Sequence, residues 1–295
     1  SIIPRPLTSN MVTLISRHSK YSPNSEARDE ALFRSLVMNF ALQGISIATF
    51  DEAVFEHRPP QLEKSTLILS MARSEAALHT LSAAEESGVP VLNSPRALQK
   101  AQRTDFQQWF VESGHAAKHW HISTLTPDIK ARLSFPLWWK RNNPSTTSAT
   151  DVQFVEHLAQ LNAILSEHAN EDALLMEHID GKLIKFYGVV GTNFFHAEPH
   201  TPKGFSKFGH EQHNHHKDLA LSSPMWKQTL RAMHTAATQV AQQSGFSIYG
   251  GDAILREDGT FVFIDFNDFP SFSACLPEAS AAIVQHSLSL LAKKR

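Results

Sequence analysis

The chain has 295 residues, with 27 Lys and Arg against 29 Asp and Glu, so its formal charge is −2 at pH 7. That balance excludes a general polyanion binder, because binding to phosphate backbones shows as a basic excess or stripe, and the length is enough for a large core divided among one to three lobes. The single cysteine, Cys275, excludes an intramolecular disulfide and any paired-cysteine metal site, which points to a reducing compartment.

The start, SIIPRPLTSNMVTLIS, lacks the charged beginning and apolar core of a secretory signal, and its first residue is not Met, as expected of a processed or trimmed start. No apolar run approaches the ~18 residues needed to span a bilayer. A cytoplasmic protein is expected, with no membrane or nucleic-acid partner. From Met11 to Pro95 strands and helices alternate: MVTLIS as strand, Ser25 to Gln43 as helix, ISIATF and STLILS as strands, Arg73 to Ser87 as helix, then VPVLN. This rhythm predicts parallel βαβ units. Asn24 or Ser25 is placed to cap the first helix, whose Ala27, Ala31, Phe33, Leu36 and Phe40 fall near helical spacing, with Gly44 just past its end.

Pro95 opens a helix predicted to run through Phe110 and Val111 to Gly114. Next come a strand at FPLWWK, an amphipathic helix from Asp151 to about Ser166, and strands at ALLMEHI and LIKFYGVVG. The stretch from Pro199 to Ser223 reads as a long polar loop carrying Lys203, Lys207, His210, His213, His215 and His216. A helix from Pro224, with Trp226, Leu230, Met233 and Val240, stops at Gly245, and Pro277 opens the last one.

Between these helices lies SIYGGDAILREDGTFVFIDFNDFPSF, residues 247 to 272, which reads as a hairpin. Asp258-Gly259 is a favoured two-residue connection. With that loop Glu257 faces Thr260, and counting back sets Asp252 opposite Asp265, whereas a three- or four-residue loop breaks the direct pairing. Opposed like charges destabilise a sheet unless a cation lies between them. Alternation puts Asp265 and Asn267 on one face, so Asp252, Asp265 and Asn267 form a hard-oxygen set of the kind Mg²⁺ prefers. The alternative is a pair of solvated acids at strand ends.

Taken in order, the motifs resemble the ATP-grasp superfamily over nearly the whole chain. The resemblance implies an α/β and α+β protein: an N-terminal parallel α/β domain (1–96), then a two-lobed ATP-grasp fold with a central lobe (97–174) and a C-terminal lobe (175–295) holding the metal hairpin. NSPRALQKAQRTDFQQWFVESG is similar to the helix whose first basic residue reaches the nucleotide phosphates, here Arg103 in place of the commoner Lys. FPLWWKRNN resembles the strand whose lysine contacts the α-phosphate, which is Lys140. The glycine-rich loop that usually follows is RNNPSTTSAT, without glycine, so Arg141 to Ser148 departs from the pattern. LLMEHIDGKLIKFYGVVG is similar to the adenine hinge, with Glu177 and Ile179 supplying backbone groups. Leu183 replaces the usual ribose carboxylate, leaving Asp180 as substitute. Lys185 matches a basic residue that touches the transferred phosphate. GGDAIL and FIDFNDFPSF resemble the metal hairpin of inositol-trisphosphate kinases, glutathione-synthetase-like enzymes and ribosomal-protein glutamate ligases, with Asp252, Asp265 and Asn267 as ligands.

The resemblance implies an enzyme that uses ATP with Mg²⁺ or Mn²⁺ to join a small-molecule carboxylate to an amine through an acylphosphate, releasing ADP and phosphate, with Lys185 and Arg103 assisting transfer. A homodimer is left open. The second reading is a kinase acting on a hydroxyl, such as that of an inositol phosphate; the third is a non-catalytic nucleotide- or metal-binding protein using the histidines of 199–223.

Overall fold

A computed structural model describes residues 10–145, 148–200 and 223–293. They fall into two compact units, one drawn from Ser1–Gln99, Val189–Phe194 and Phe269–Arg295, the other from Lys100–Gly188 and Phe195–Asp268.

The first unit begins with β1 (Met11–Ser16), α1 (Glu26–Leu42), β2 (Ser46–Asp51), β3 (Leu67–Ser70), α2 (Glu75–Glu86) and β4 (Val91–Leu92), close to the predicted bounds. Its sheet runs β2-β1-β3-β4, every pair parallel. The continuous burial of β3, Leu67 to Ser70, suits this, because a strand covered on both faces has no need of alternation. Gly44, with φ of +70°, ends α1 as expected.

The segment from Pro95 to Gly114 is not one helix. It splits into α3 (Pro95–Lys100) and α4 (Arg103–Ser113), because Gln102 is extended, with φ −113° and ψ 168°, and its N–H is capped by the Asp105 carboxylate at 2.9 Å. A fresh helix N-terminus is thereby placed at Arg103.

The second unit continues with β5 (His119–His121), α5 (Pro127–Ala131), β6 (Leu137–Arg141), β7 (Val152–Val155), α6 (Leu158–Glu167), β8 (Ala173–Glu177), β9 (Lys182–Val189), β10 (Phe195–Pro199), α7 (Pro224–Ser244), β11 (Ile248–Leu255) and β12 (Phe261–Asp268). The expected helix from Asp151 is corrected: its first residues form β7, which pairs antiparallel with β6 and packs Phe154 at a tilt against Trp138, ring centroids 4.9 Å apart, and the helix starts only where His157 accepts the Gln160 N–H. Cross-strand aromatic packing outweighs the helical reading of that short run. The strands β5 and β10 are additions to the predicted set. The last helix, α8 (Leu276–Lys293), belongs by its contacts to the first unit, where Ser280 hydrogen-bonds Ser35 of α1 at 2.7 Å. Among the described residues no helix is long and apolar enough to cross a membrane.

Two four-stranded sheets make the second unit, in the orders β5-β8-β6-β7 and β10-β9-β11-β12. On one face of the first, Leu137, Trp139, Val155 and Leu175 pack with Leu161 and Ile164 of α6. Under the second, Phe186 lies across the strands against Phe263 and Phe266, at centroid distances of 5.3 and 5.9 Å. That crossing needs Gly251: a Cβ there would stand 2.3 Å from the Phe186 ring and 2.4 Å from the Asp265 carbonyl. Gly251→Ala is therefore expected to destabilise the protein by about 1–3 kcal/mol, read as a lowered urea midpoint; an unchanged midpoint would contradict the packing described.

Candidate active site

The hairpin that carries the acids reaches its register by two compensating irregularities. Its loop has three residues, not two: Arg256 N–H bonds the Thr260 carbonyl at 2.8 Å, Gly259 N–H bonds the Arg256 carbonyl at 3.0 Å, and Gly259 takes φ of +87°. This is the turn-plus-left-handed-residue closure common in three-residue hairpins. Beyond it Leu255, Ile254 and Ala253 pair with Phe261, Val262 and Phe263, a register that carried forward would set Asp252 against Ile264. A bulge intervenes between Asp252 and Ala253, and Asp252 pairs with Asp265 after all.

The bulge also resets which side chains face where. Phe263 and Phe266 both pack on Phe186, although strict alternation would send them to opposite faces. Ile264 joins Ile254 and Val262 on the other side, and Asp265 is partly exposed. The Ile264 carbonyl accepts a hydrogen bond from Lys140 Nζ at 2.9 Å.

Four predicted residues meet here with Lys140. Arg103, the first residue of α4, sends Nη1 to Asp265 Oδ1 at 2.5 Å and Nε to the Arg141 carbonyl at 2.9 Å. Lys185 Nζ lies 3.5 Å from Asp252 Oδ1. Two cations thus hold the two opposed carboxylates, so the repulsion between the acids does not by itself call for a metal. Asn267 is exposed on the same strand, paired with Gly250.

Lys140 is only 4% exposed. Burial pushes its ammonium down to about 8, with Arg103 acting in the same direction and Asp265 and Asp252 opposing it. A buried charge of this kind is costly, and the carboxylates of Asp265 and Asp252 offset part of that cost.

Asn142, which belongs to no motif of its own, organises the site. It is 3% exposed; its carbonyl accepts the Arg103 N–H at 2.8 Å, its side-chain oxygen accepts the Thr104 N–H at 3.0 Å, and its Nδ2 donates to Gln102 Oε1 at 2.8 Å and Asp172 Oδ2 at 2.6 Å. Strand β6 and the start of α4 are joined through this one residue. The only signal in the sequence is a polar residue directly after a buried strand, in Lys-Arg-Asn-Asn-Pro.

The other predicted residues are placed less closely. The Glu177 carboxylate accepts the Lys118 N–H at 2.9 Å, and the Glu177 N–H donates to the Lys118 carbonyl, also at 2.9 Å. Ile179 is buried in an apolar cluster with Ala117, Leu174, Met176, Leu183 and Ile254, while Asp180 is exposed. In the glycine-free stretch Arg141 pairs with Asp151 at 3.2 Å and donates to the Ser145 carbonyl at 2.9 Å; Thr146 and Thr147 lie outside the described residues. Lys203, Lys207, His210, His213, His215 and His216 also lie outside them. Among the described residues no three of His, Cys, Asp and Glu gather as a metal-holding group. The donor chemistry of Asp252, Asp265 and Asn267, three hard oxygen groups beside clustered cations, fits Mg²⁺ whose remaining positions are filled by phosphate and water.

No known family profile matches the chain, and no curated protein matches it. Solved structures do. D-alanyl-alanine synthetase A from Vibrio cholerae O1 biovar eltor str. N16961 superposes with a TM-score of 0.67 at 12% identity, over 97% of this chain and 99% of that one. The VanG D-Ala:D-Ser ligase from Enterococcus faecalis gives 0.66 at 14% identity, over 93% and 95% of the two chains. The RimK domain ATP-grasp protein from Sphaerobacter thermophilus DSM 20745 gives 0.64 at 14% identity, over 93% and 98%. The chain has the ATP-grasp fold. At such identities the likeness establishes the fold alone.

Two outcomes follow from this geometry. Replacing Asn142 by Ala removes the side-chain hydrogen bonds that join Thr104, Gln102 and Asp172 and is expected to cost about 1–3 kcal/mol in urea denaturation; a loss under ~0.5 kcal/mol would mean that the junction does not depend on it. Lys140 has a lowered folded-state pKa, so between about 8 and its ordinary 10.5 the unfolded chain binds more protons. Its penalty on stability is therefore complete below pH 8 and fades as pH rises through that window. The stability of Lys140→Met measured against the native chain should show this slope missing; parallel pH profiles would refute it.

Proposed function

We propose that this protein is an ATP- and Mg²⁺-dependent carboxylate–amine ligase that forms an amide through an acylphosphate. The observation that carries the reading is the convergence of Arg103, Lys140 and Lys185 on two directly opposed carboxylates, Asp252 and Asp265. It is supported by a fold shared along nearly the full length of both chains with proteins named as ligases, one of them a D-alanine–D-alanine ligase from Bacillus anthracis complexed with ATP.

In this reading a substrate carboxylate oxygen attacks the γ-phosphorus, and the bond to the ADP oxygen breaks. The amine nitrogen then attacks the acyl carbon, the carbon–oxygen bond to phosphate breaks, and the amine proton passes to solvent. No side-chain nucleophile is needed; the protein's task is positioning and charge. Lys140 meets the α-phosphate, Arg103 and Lys185 meet the outer phosphates, and both exchange a carboxylate partner for phosphate oxygens as nucleotide arrives. Asp252, Asp265 and Asn267 would hold Mg²⁺ or Mn²⁺, which would supply further neutralisation of phosphate charge. The adenine lies against the apolar residues around Ile179, its edge read by the Glu177 and Ile179 backbone, with Asp180 at the ribose.

The test is ADP release over pooled small acids and amines, followed by mass spectrometry. ADP and free phosphate formed only when acid and amine are both present support the ligase, and phosphate retained on a hydroxyl would replace it by a kinase. Asp265→Asn is expected to lower turnover at least about a hundredfold with its circular dichroism unchanged. Full activity in that variant would move the metal elsewhere.

A further inference from the structure

The outer face of the sheet β10-β9-β11-β12 carries more chemistry than the proposed function uses. Phe186 and Phe195 lie on its inner side, ring centroids 6.1 Å apart, with Phe186 against Phe263 and Phe195 stacked on His234 of α7 at 4.8 Å. Alternation then sends Lys185 and Tyr187 of β9, and His196 and Glu198 of β10, to the opposite face, and all four are partly exposed. The register agrees: Glu198 pairs directly with Lys185 and His196 with Tyr187, and directly opposed residues of an antiparallel pair share a face. Lys185 in turn reaches Asp252, and Asp252 faces Asp265. A row of charged side chains thus runs Glu198, Lys185, Asp252, Asp265 across the sheet. His196 stands beside that row, diagonal to Lys185, a separation of about 7–8 Å that aromatic and long side chains span. Its Nε2 is 3.1 Å from Glu198 Oε2, so the carboxylate holds the ring proton on Nε2 and leaves the lone pair on Nδ1. Among the described residues, the other titratable groups on its face are Tyr187, ring centroid 6.3 Å away, Lys185 with Asp252 beyond it, and His200 past Glu198, where its N–H bonds the Leu183 carbonyl.

We propose, on the ligase reading above, that the acceptor amine docks against this pair as its ammonium, that His196 Nδ1 is the general base that removes its proton, and that Glu198 is the positioning residue that orients the imidazole. An ammonium has no lone pair and cannot attack until a proton is taken from it, and an imidazole is the group whose titration suits that task near neutral pH. The Glu198 carboxylate favours a cationic acceptor at this end of the face and stabilises the imidazolium that forms. In the step, one N–H bond of the ammonium breaks as its proton passes to Nδ1, and the nitrogen pair so released attacks the acyl carbon. The carbon–oxygen bond to phosphate breaks, and phosphate leaves with that electron pair and, through solvent, the second proton that the nitrogen sheds. The imidazolium then returns its own proton to solvent.

Histidine-selective nitrogen NMR of the full chain tests the pair without any substrate. Neutral His196 should be the Nε2–H tautomer, and its titration midpoint should fall in Glu198→Gln, because removing the carboxylate disfavours the imidazolium. The Nδ1–H tautomer, or an unmoved midpoint, overturns the assignment. The catalytic half is read with the pooled acids, ATP and Mg²⁺, and as acceptor either the pooled amines or hydroxylamine, which is uncharged at neutral pH and needs no base before it attacks. His196→Gln should lower amide formation about a hundredfold while changing hydroxamate formation less than about twofold. Equal losses with both acceptors would make His196 merely structural, and no loss with the amines would assign the proton to another base; either result overturns the proposal. If the native chain forms neither amide nor hydroxamate, the ligase reading falls and the base falls with it. Native activity thus judges the function, and the acceptor dependence of the variant judges the site.

Discussion

The hydrogen bond from Lys140 to the Ile264 carbonyl is where the two sheets of the second unit are brought into chemical relation. That carbonyl is available because Ile264 is the extra residue of a bulge, released from regular pairing. The same residue corrects the register left by a three-residue turn, so Asp252 faces Asp265, and it reverses strand parity so that Phe266 stays inside. One inserted residue therefore sets the carboxylate pair, the aromatic core beneath it and an anchor for the buried lysine. Drawing Ile264 into regular pairing would instead set Asp252 against Ile264 and turn the residues beyond it to the opposite face.

Around that point the charges compensate one another. Arg103 and Lys185 hold the two acids, and Lys140 remains buried with a weakened hold on its proton. Such an arrangement is stable enough to fold and is also predisposed to rearrange, since an incoming polyanion with a divalent cation satisfies both sets of charges at once. Asn142 makes the arrangement stiff by fixing the start of α4 to the end of β6. Rigid placement of charge is the main contribution a protein makes to phosphoryl transfer.

The regular part of the fold was legible because its signals are local. Continuous apolar strands, helically spaced apolar residues and glycines past helix ends mark the parallel sheet of the first unit and most strands of the second, although Ser25 at the start of α1 makes no side-chain cap. The failures have local causes too. The break at Gln102 arises from a side-chain cap that competes with helix continuation, and β7 exists because β6 offers Phe154 a tryptophan to pack on.

The sequence by itself determined the residue types of the site and their order: a basic residue opening a helix, a lysine at a strand end, a lysine on β9, and Asp, Asp and Asn on a hairpin. Those choices are encoded one residue at a time and survive any uncertainty in register. Tertiary structure alone decided that Asp252 meets Asp265, since two misjudged irregularities cancel only when the strands are paired in space. It alone showed that Arg103 and Lys185 pair with the two acids and that Asn142 joins the end of β6 to the start of α4. A hydrogen bond to a partner 30 or 40 positions away leaves no trace in local composition, because burial and geometry, and not residue type, make it necessary.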